Sequence, residues 1–283
     1  MLTSVHNPRV REVRTLLDKR RAREEARRFV VEGVRLVETA LEAGVTPDVA
    51  FFTADLADTP RGAAQLAGLR AVCEMVEVSP AVLRALSDTE TPQGVVAVVP
   101  MPTEDERRRT EDGEPKVSSV VSQPPSPVLR LPSPLVLVVD GVRDPGNLGT
   151  LLRSAAAVGV DAALLAPGTV DLYNPKTVRA GMGAHFQVAA QSADWDAIRA
   201  RLAGLAIRVA AADAPQAYFD VDWTTPAALI VGGEAEGVSS AARAIASASV
   251  SIPMRPGVES LNAAMAATVI LFEAVRQRLV RIS

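Results

Sequence analysis

The sequence predicts an α/β protein of two units, a smaller α/β unit followed by one built on a parallel sheet. Three observations carry this reading. Short, continuous apolar runs bounded by Gly, Pro or Asp recur along the chain, as expected of strands buried on both faces. Helical stretches separate most of them, the alternation that produces layered α/β domains. A segment rich in Pro, Ser and charge, Pro100 to Pro134, then divides the series in two. The chain has 283 residues, 48% apolar and 22% charged, enough for two cores and unlike a disordered or fibrous composition.

The elements follow in order. Asn7-Pro8 ahead of Val10, Val13, Leu16 and Leu17 opens a helix, because a proline at the first helical position lacks an N–H that would have no partner there. A strand is expected over Phe29 to Val31, then a helix from Val34 to Ala43 stopped by Gly44. An apolar run from Val49 to Phe52, a helix from Gly62 to Leu69 and a strand from Val72 to Val78 come next. Ser79-Pro80 starts a short helix, and Gly94 to Val99 closes the first unit, residues 1–99. Residues 100–134 read as a linker whose Arg107, Arg108 and Arg109, flanked by acids, suit a solvated tether. In residues 135–283 apolar runs fall at Leu135 to Val139, Ala162 to Ala166, Phe186 to Ala190, Ile207 to Ala212, Ala227 to Val231 and Val250 to Ile252. The last helix, Leu261 to Leu279, is apolar over most of its circumference. Leu261, Met265, Val269, Leu271 and Phe272 cover more of it than one core-facing stripe uses, so a second copy of the chain is expected on it, with Ala267 and Ile270 on the outward face.

Several function classes are excluded. No apolar run reaches the roughly 18 residues of a membrane span, and charges stand where a signal peptide would be apolar, which predicts a cytoplasmic protein without a membrane partner. A lone cysteine, Cys73, with only His6 and His185, predicts neither a disulfide nor a metal site. Gly181-Met-Gly183 is too short for a dinucleotide fingerprint, and no phosphate-loop pattern occurs. The net charge of −3 hides an uneven distribution: between Arg9 and Arg28 nine basic residues face four acidic ones, a local charge of +5. That arm reads either as a phosphate-binding stripe, with Arg9, Arg20, Arg21, Arg27 and Arg28 as its nucleic-acid contacts, or as a solvated helix with internal Glu/Arg pairs.

Three polar patches in the second unit each follow a predicted strand, where open α/β sheets bind ligands. Asp140 to Ala155 (DGVRDPGNLGTLLRSA) holds Gly141, Gly146 and Gly149 for a tight loop, Asn147, and Arg153 in the following helix. Gly232 to Ser239 (GGEAEGVS) holds Glu234 and Glu236. The third, from Ile252 (IPMRPGVESLNAAMAA), places Ser260 and Asn262 before the last helix, with Ser260 suited to cap it. Each patch alone can be read as loop chemistry.

Together they resemble the three motifs of the SpoU/TrmH family of RNA 2'-O-methyltransferases. Asn147, Gly149 and Arg153 match the first, Gly232, Glu234 and Gly237 the second, and Ser260, Leu261 and Asn262 the third. NPRV and FVVEGVRLVETAL similarly resemble the family's small ribosomal-protein-like substrate-binding domain. The resemblance implies a deep trefoil knot in the second unit, S-adenosylmethionine as cofactor, and a homodimer through the last helix. It implies cofactor contacts at Gly232, Ile252 and Leu261, with Ser260 and Asn262 shaping the same loop, and catalytic roles for Arg153, Asn147 and Glu234. An arginine is an awkward base, so Arg153 is expected to hold a phosphate and stabilise the developing alkoxide, oriented by Asn147 and Glu234. Ribosomal RNA is the expected substrate ahead of tRNA, and DNA is not expected. The rivals are a catalytically silent RNA-binding factor on the same fold and a base methyltransferase of the wider knotted superfamily.

Overall fold

The computed structural model describes residues 1–102, 131, 133–234, 236–258 and 260–280; nearly all of the expected linker, with Arg107 to Arg109, lies outside them. The arm is two helices, α1 (Pro8–Asp18) and α2 (Arg20–Ala26), broken at Lys19, whose backbone is extended (φ −120°, ψ 114°). Asn7 caps α1 by accepting from the Arg9 N–H, and Pro8 takes the first helical position.

The first unit continues with β1 (Arg28–Glu32), α3 (Val34–Glu42), β2 (Val49–Phe52), α4 (Pro60–Val72), β3 (Glu74–Glu77), α5 (Pro80–Ala85) and β4 (Val95–Pro100). Its sheet runs β1-β4-β2-β3, antiparallel except between β2 and β3. Strand β4 lies inside the sheet, which explains its unbroken apolar run. Val95, Ala97 and Val99 face a core shared with α3 and α4, and Val96 and Val98 face α1 and α5. The helix expected over Gly62 to Leu69 is longer because Thr59 caps it, accepting from the Gly62 N–H, with Pro60 behind. The strand expected over Val72 to Val78 is shorter because Val72 still belongs to that helix.

The second unit holds β5 (Leu135–Asp140), α6 (Pro145–Val158), β6 (Ala162–Leu165), α7 (Pro175–Gly181), β7 (Ala189–Ser192), α8 (Trp195–Arg201), β8 (Ala206–Ala210), β9 (Gln216–Ala217), β10 (Ala227–Gly232), α9 (Ser240–Ile245), β11 (Ala248–Ser251) and α10 (Ala263–Val280). The sheet is parallel throughout, in the order β7-β6-β5-β10-β8-β11-β9. Along β5, Leu135, Leu137 and Val139 pack towards α6 and α10, while Val136 and Val138 pack towards α8 and α9. Burying one such Leu or Val contributes about 1.5–3 kcal/mol, so the alternation fixes the register. Two-residue β9 carries too little pattern to be visible in the sequence. The run Phe186 to Ala190 divides into a 3-10 turn (Ala184–Phe186) and β7, because Phe186 is drawn into the core of the first unit.

The units meet on aromatic rings and a buried ion pair. Phe29 lies 4.7 Å from Tyr173 and 6.0 Å from Phe186, centroid to centroid. Arg23, buried, pairs with Asp171 and donates to the Leu16 and Leu17 carbonyls, which removes it from the basic surface counted in the sequence. No helix among the described residues is long and apolar enough to cross a membrane.

Candidate active site

From β5 the chain splits two ways, to β6 on one side and to the β10, β8, β11 group on the other. A crevice forms at the carboxyl ends of strands where the order reverses in this way. Asp140, the last residue of β5, is buried and ties two loops together: its carboxylate accepts from the Ser239 N–H (2.6 Å) and its carbonyl from the Gly233 N–H (2.9 Å). Neither role was drawn from the sequence, although a single acid ending an otherwise apolar strand was the available signal.

Gly141 takes the left-handed backbone that the expected loop needs (φ 70°), whereas Gly146 and Gly149 work differently from that expectation. Asp144 caps α6 by accepting from the Asn147 N–H (2.8 Å), so Gly146 and Gly149 are already helical. Gly149 serves close helix packing instead: a Cβ there would overlap Ala180 and come within 2.8 Å of the Gly181 nitrogen in α7. In the second patch a Cβ on Gly232 would strike the backbone of Gly237, so the turn can fold onto its own strand end only with glycine.

One side chain joins all three patches. Asn147 donates through Nδ2 to a Glu234 carboxylate oxygen and accepts through Oδ1 from Asn262 Nδ2 (3.0 Å). Asn262 is in turn the cap of α10, its Oδ1 accepting from the N–H groups of Ala264 (3.0 Å) and Met265 (3.2 Å). This corrects the expectation that Ser260 caps a helix beginning at Leu261: α10 begins at Ala263, and Ser260 lines a cavity instead. A further exposed pair, Arg143 with Glu236 (3.0 Å), crosses between the first two patches.

The cavity beside this junction measures about 220 Å³ and is walled by Val231, Gly232, Val250, Ile252, Leu261 and Ile270, among others. Four of the five residues expected at the cofactor, Gly232, Ile252, Ser260 and Leu261, line it; Asn262 does not, although its chain neighbours Leu261 and Ala263 do. The sequence reading missed the wall formed by Ala210, the last residue of β8, with Ala211 to Asp213 beyond it, and Arg243 of α9. The signal there was the predicted strand end itself, a fourth one converging on the same rim.

Arg153 is exposed and makes no hydrogen bond or ion pair among the described residues, so Asn147 and Glu234 do not orient it here. Six residues along a helix place it about 9 Å further up the axis and about 120° round from Asn147, which prevents contact. The five arginines expected at RNA are engaged. Arg9 pairs with Glu74, Arg20 with Glu24, Arg21 with Glu25, and Arg28 with Asp48 and Glu12, while Arg27 donates to the Pro102 carbonyl. Arg11, Arg14 and Lys19 of the same arm are exposed and unpaired among the described residues.

The last helix also needs one correction. Ala267 and Ile270, placed on its outward face from the sequence, are fully buried, as is Leu271. Among the described residues the apolar side chains left open are Leu261, Met265, Val269, Phe272 and, near the end, Leu279, with Met265 62% and Phe272 49% exposed. No group of His, Cys, Asp and Glu among the described residues is arranged to hold a metal ion.

Comparison with known proteins gives a consistent picture. The model of the SpoU rRNA Methylase family matches residues 134–272, and that of the MRM3-like substrate binding domain matches residues 7–97. The mouse protein named rRNA methyltransferase 3, mitochondrial, is 32% identical over 97% of this chain and 73% of its own length. The 23S rRNA (uridine(2479)-2'-O)-methyltransferase of Streptomyces viridochromogenes is 35% identical over 96% of this chain and 91% of its own. The crystal structure of the SpoU methyltransferase AviRb from that organism, in complex with AdoMet, superimposes with a TM-score of 0.78 at 32% identity, covering 97% of this chain and 100% of that one.

Proposed function

The chain belongs to the SpoU rRNA methylase family, and from that membership we propose that it methylates a ribose 2'-hydroxyl of ribosomal RNA at the junction of Asn147, Glu234 and Asn262. It is an RNA ribose 2'-O-methyltransferase that uses S-adenosylmethionine. The observation that carries the assignment of the site is the Asn147 side chain, which binds the second and third patches at once beside a cavity at the ends of β10 and β11.

The residues present fit the cofactor. The cavity walls are mainly apolar, suited to a nucleoside, and the backbone folded tightly around Gly232 offers peptide groups that no side chain obstructs. When bound, S-adenosylmethionine supplies an electrophilic methyl group on a sulfonium. The chain's own task is to hold the ribose oxygen in line and to ease loss of its proton. Arg153, whose guanidinium has no partner among the described residues, is available to hold an RNA phosphate and offset the negative charge growing on the 2'-oxygen. Asn147 and Glu234 fix the loop that presents the cofactor, and the helix α6 carries Asn147 and Arg153 at a fixed separation.

Residues 1–99 serve in this reading as the substrate-binding unit and residues 135–283 as the methyl-transfer unit, divisions supported by the two family matches. The arm contributes RNA contacts through Arg9, Arg20, Arg21, Arg27 and Arg28. Their present ion pairs are no obstacle, since exposed pairs are worth about 0.2–1 kcal/mol and exchange readily for a phosphate. The trefoil knot is part of the same proposal. Strand β10 is enclosed between β5 and β8, and after β11 the chain returns to lay α10 against α6, where Ser154 and Thr268 bond at 2.7 Å. The exposed row Leu261, Met265, Val269 and Phe272 is the surface on which a second copy would pack, giving a homodimer. Methyl incorporation from labelled cofactor into rRNA and into tRNA, both taken from cells lacking the gene, tests the substrate. Labelled rRNA with unlabelled tRNA is expected, and the reverse would overturn it.

A further inference from the structure

Among the described residues three charged side chains line the cavity, Asp213, Glu234 and Arg243, and of these Glu234 alone is engaged, by Asn147. Asp213 and Arg243 form no ion pair or hydrogen bond through their side chains with each other or with any other described residue. They also stand apart from the junction described above. Arg243 belongs to α9, whose Ala242 and Ile245 pack on the opposite face of the sheet from α6 and α10, and Asp213 follows β8, the strand on which α9 rests. The cavity thus crosses the strand ends from a wall holding Glu234, Ser260 and Leu261, behind which Asn147 bonds to Glu234, to a wall holding an acid and a base that are unpaired among the described residues.

Opposite charges that share a small, largely apolar cavity without pairing leave a gap that a ligand carrying both charges can bridge. We propose that Asp213 and Arg243 bind the zwitterionic amino-acid end of the cofactor, Asp213 taking its ammonium and Arg243 its carboxylate. This rests on the reading that the cavity holds S-adenosylmethionine. The guanidinium fork matches a carboxylate in two parallel hydrogen bonds, and a carboxylate accepts from an ammonium in charge-assisted bonds of the same kind. An RNA phosphate at Arg243 is disfavoured by Asp213 on the same cavity. The neutral nucleoside is left to the apolar walls, and the two ends of the cavity acquire separate tasks: cofactor recognition at Asp213 and Arg243, methyl transfer at Asn147 and Glu234.

Calorimetric titration of the full chain with S-adenosylhomocysteine, decarboxylated S-adenosylmethionine and methylthioadenosine tests this without relying on turnover. Both side chains are exposed, so substitution leaves the core untouched. Arg243→Gln should weaken S-adenosylhomocysteine on the order of tenfold and leave the two ligands that lack a carboxylate unchanged. Asp213→Asn should weaken S-adenosylhomocysteine and the decarboxylated cofactor, which keep the ammonium, and leave methylthioadenosine unchanged. Variants that bind S-adenosylhomocysteine like the wild type, or that lose methylthioadenosine by the same factor, would overturn the pairing while leaving the cofactor site standing. A wild-type chain that binds none of the three would instead overturn the cofactor site, and the pairing with it.

Discussion

Asn147→Asp is the sharpest perturbation of the junction, because it keeps size and shape and changes one donor. Asn147 Nδ2 donates to Glu234, whereas an aspartate at 147 would set two carboxylates against each other. At about 3 Å that repulsion is ~1.4 kcal/mol in water and larger in a less polar medium, and the lost charge-assisted bond adds about 1.5 kcal/mol. Glu234 is exposed, so the lower figure for the repulsion applies. Together they displace the second loop by roughly 3 kcal/mol, equivalent to about 100-fold in kcat/KM if the loop must be in place for methyl transfer. Folding should survive, since an aspartate in the first turn of α6 is favoured by the helix dipole. Steady-state methylation of RNA, alongside thermal melting, separates the two effects. The double variant Asn147→Asp with Glu234→Gln restores a donor facing an acceptor and should recover much of the loss. Activity of Asn147→Asp within about threefold of wild type, or no recovery in the double variant, would refute the role assigned to the junction.

Four further outcomes follow. Arg153→Ala should lose methyl transfer by two or more orders of magnitude while S-adenosylhomocysteine affinity, read by calorimetry, stays within about twofold, because an arginine holding phosphate acts only on the RNA side. Replacing Arg20, Arg21, Arg27 and Arg28 with alanine should weaken RNA binding and flatten its salt dependence by ~0.7–0.9 in log–log slope per phosphate contact removed; an unchanged slope identifies the arm as a solvated face. Met265→Glu and Phe272→Glu place charges on the open row of α10 and should convert a dimer to monomers in light scattering at micromolar concentration, and a wild-type chain already running as a monomer contradicts the dimer. Burial pushes the His185 imidazole down to about 4, with its Nε2–H donating to the Leu172 carbonyl. A depressed folded-state value means the unfolded chain binds the proton first. The corresponding stability, about 3 kcal/mol, is therefore present above pH ~6.5 and lost as the pH falls towards 4. Urea unfolding at several pH values should show that loss, and His185→Gln should remove this part of the slope.

Much of this was legible in the sequence, and the failures have physical causes. Strands such as β5 and β10 announce themselves because both faces are buried, so every position before the last is apolar. The ends of elements were less legible: Ser260 and Asn262 are both good caps by residue type, and Asn262 is the one that stands directly before the first helical residue, Ala263. Ala267 and Ile270 were placed outward because a helix apolar nearly all round gives no sign of which arc is covered. The residues expected at the cofactor came from the resemblance to a family, and the structure brings four of them to one cavity. Asp213 and Arg243 escaped notice because each is an ordinary surface residue in its own segment; they share a cavity only because β8 and β10 are neighbours in the sheet while lying apart in the chain.

The claim that this chain methylates a ribose oxygen of rRNA is tested most directly by the chemical identity of the product. Unmodified rRNA incubated with the purified chain and methyl-labelled S-adenosylmethionine is digested to nucleosides and resolved by mass spectrometry. The account predicts label in a 2'-O-methylnucleoside, lost with Arg153→Ala. Label on a base, or no transfer to rRNA by a chain that binds the cofactor, would contradict it.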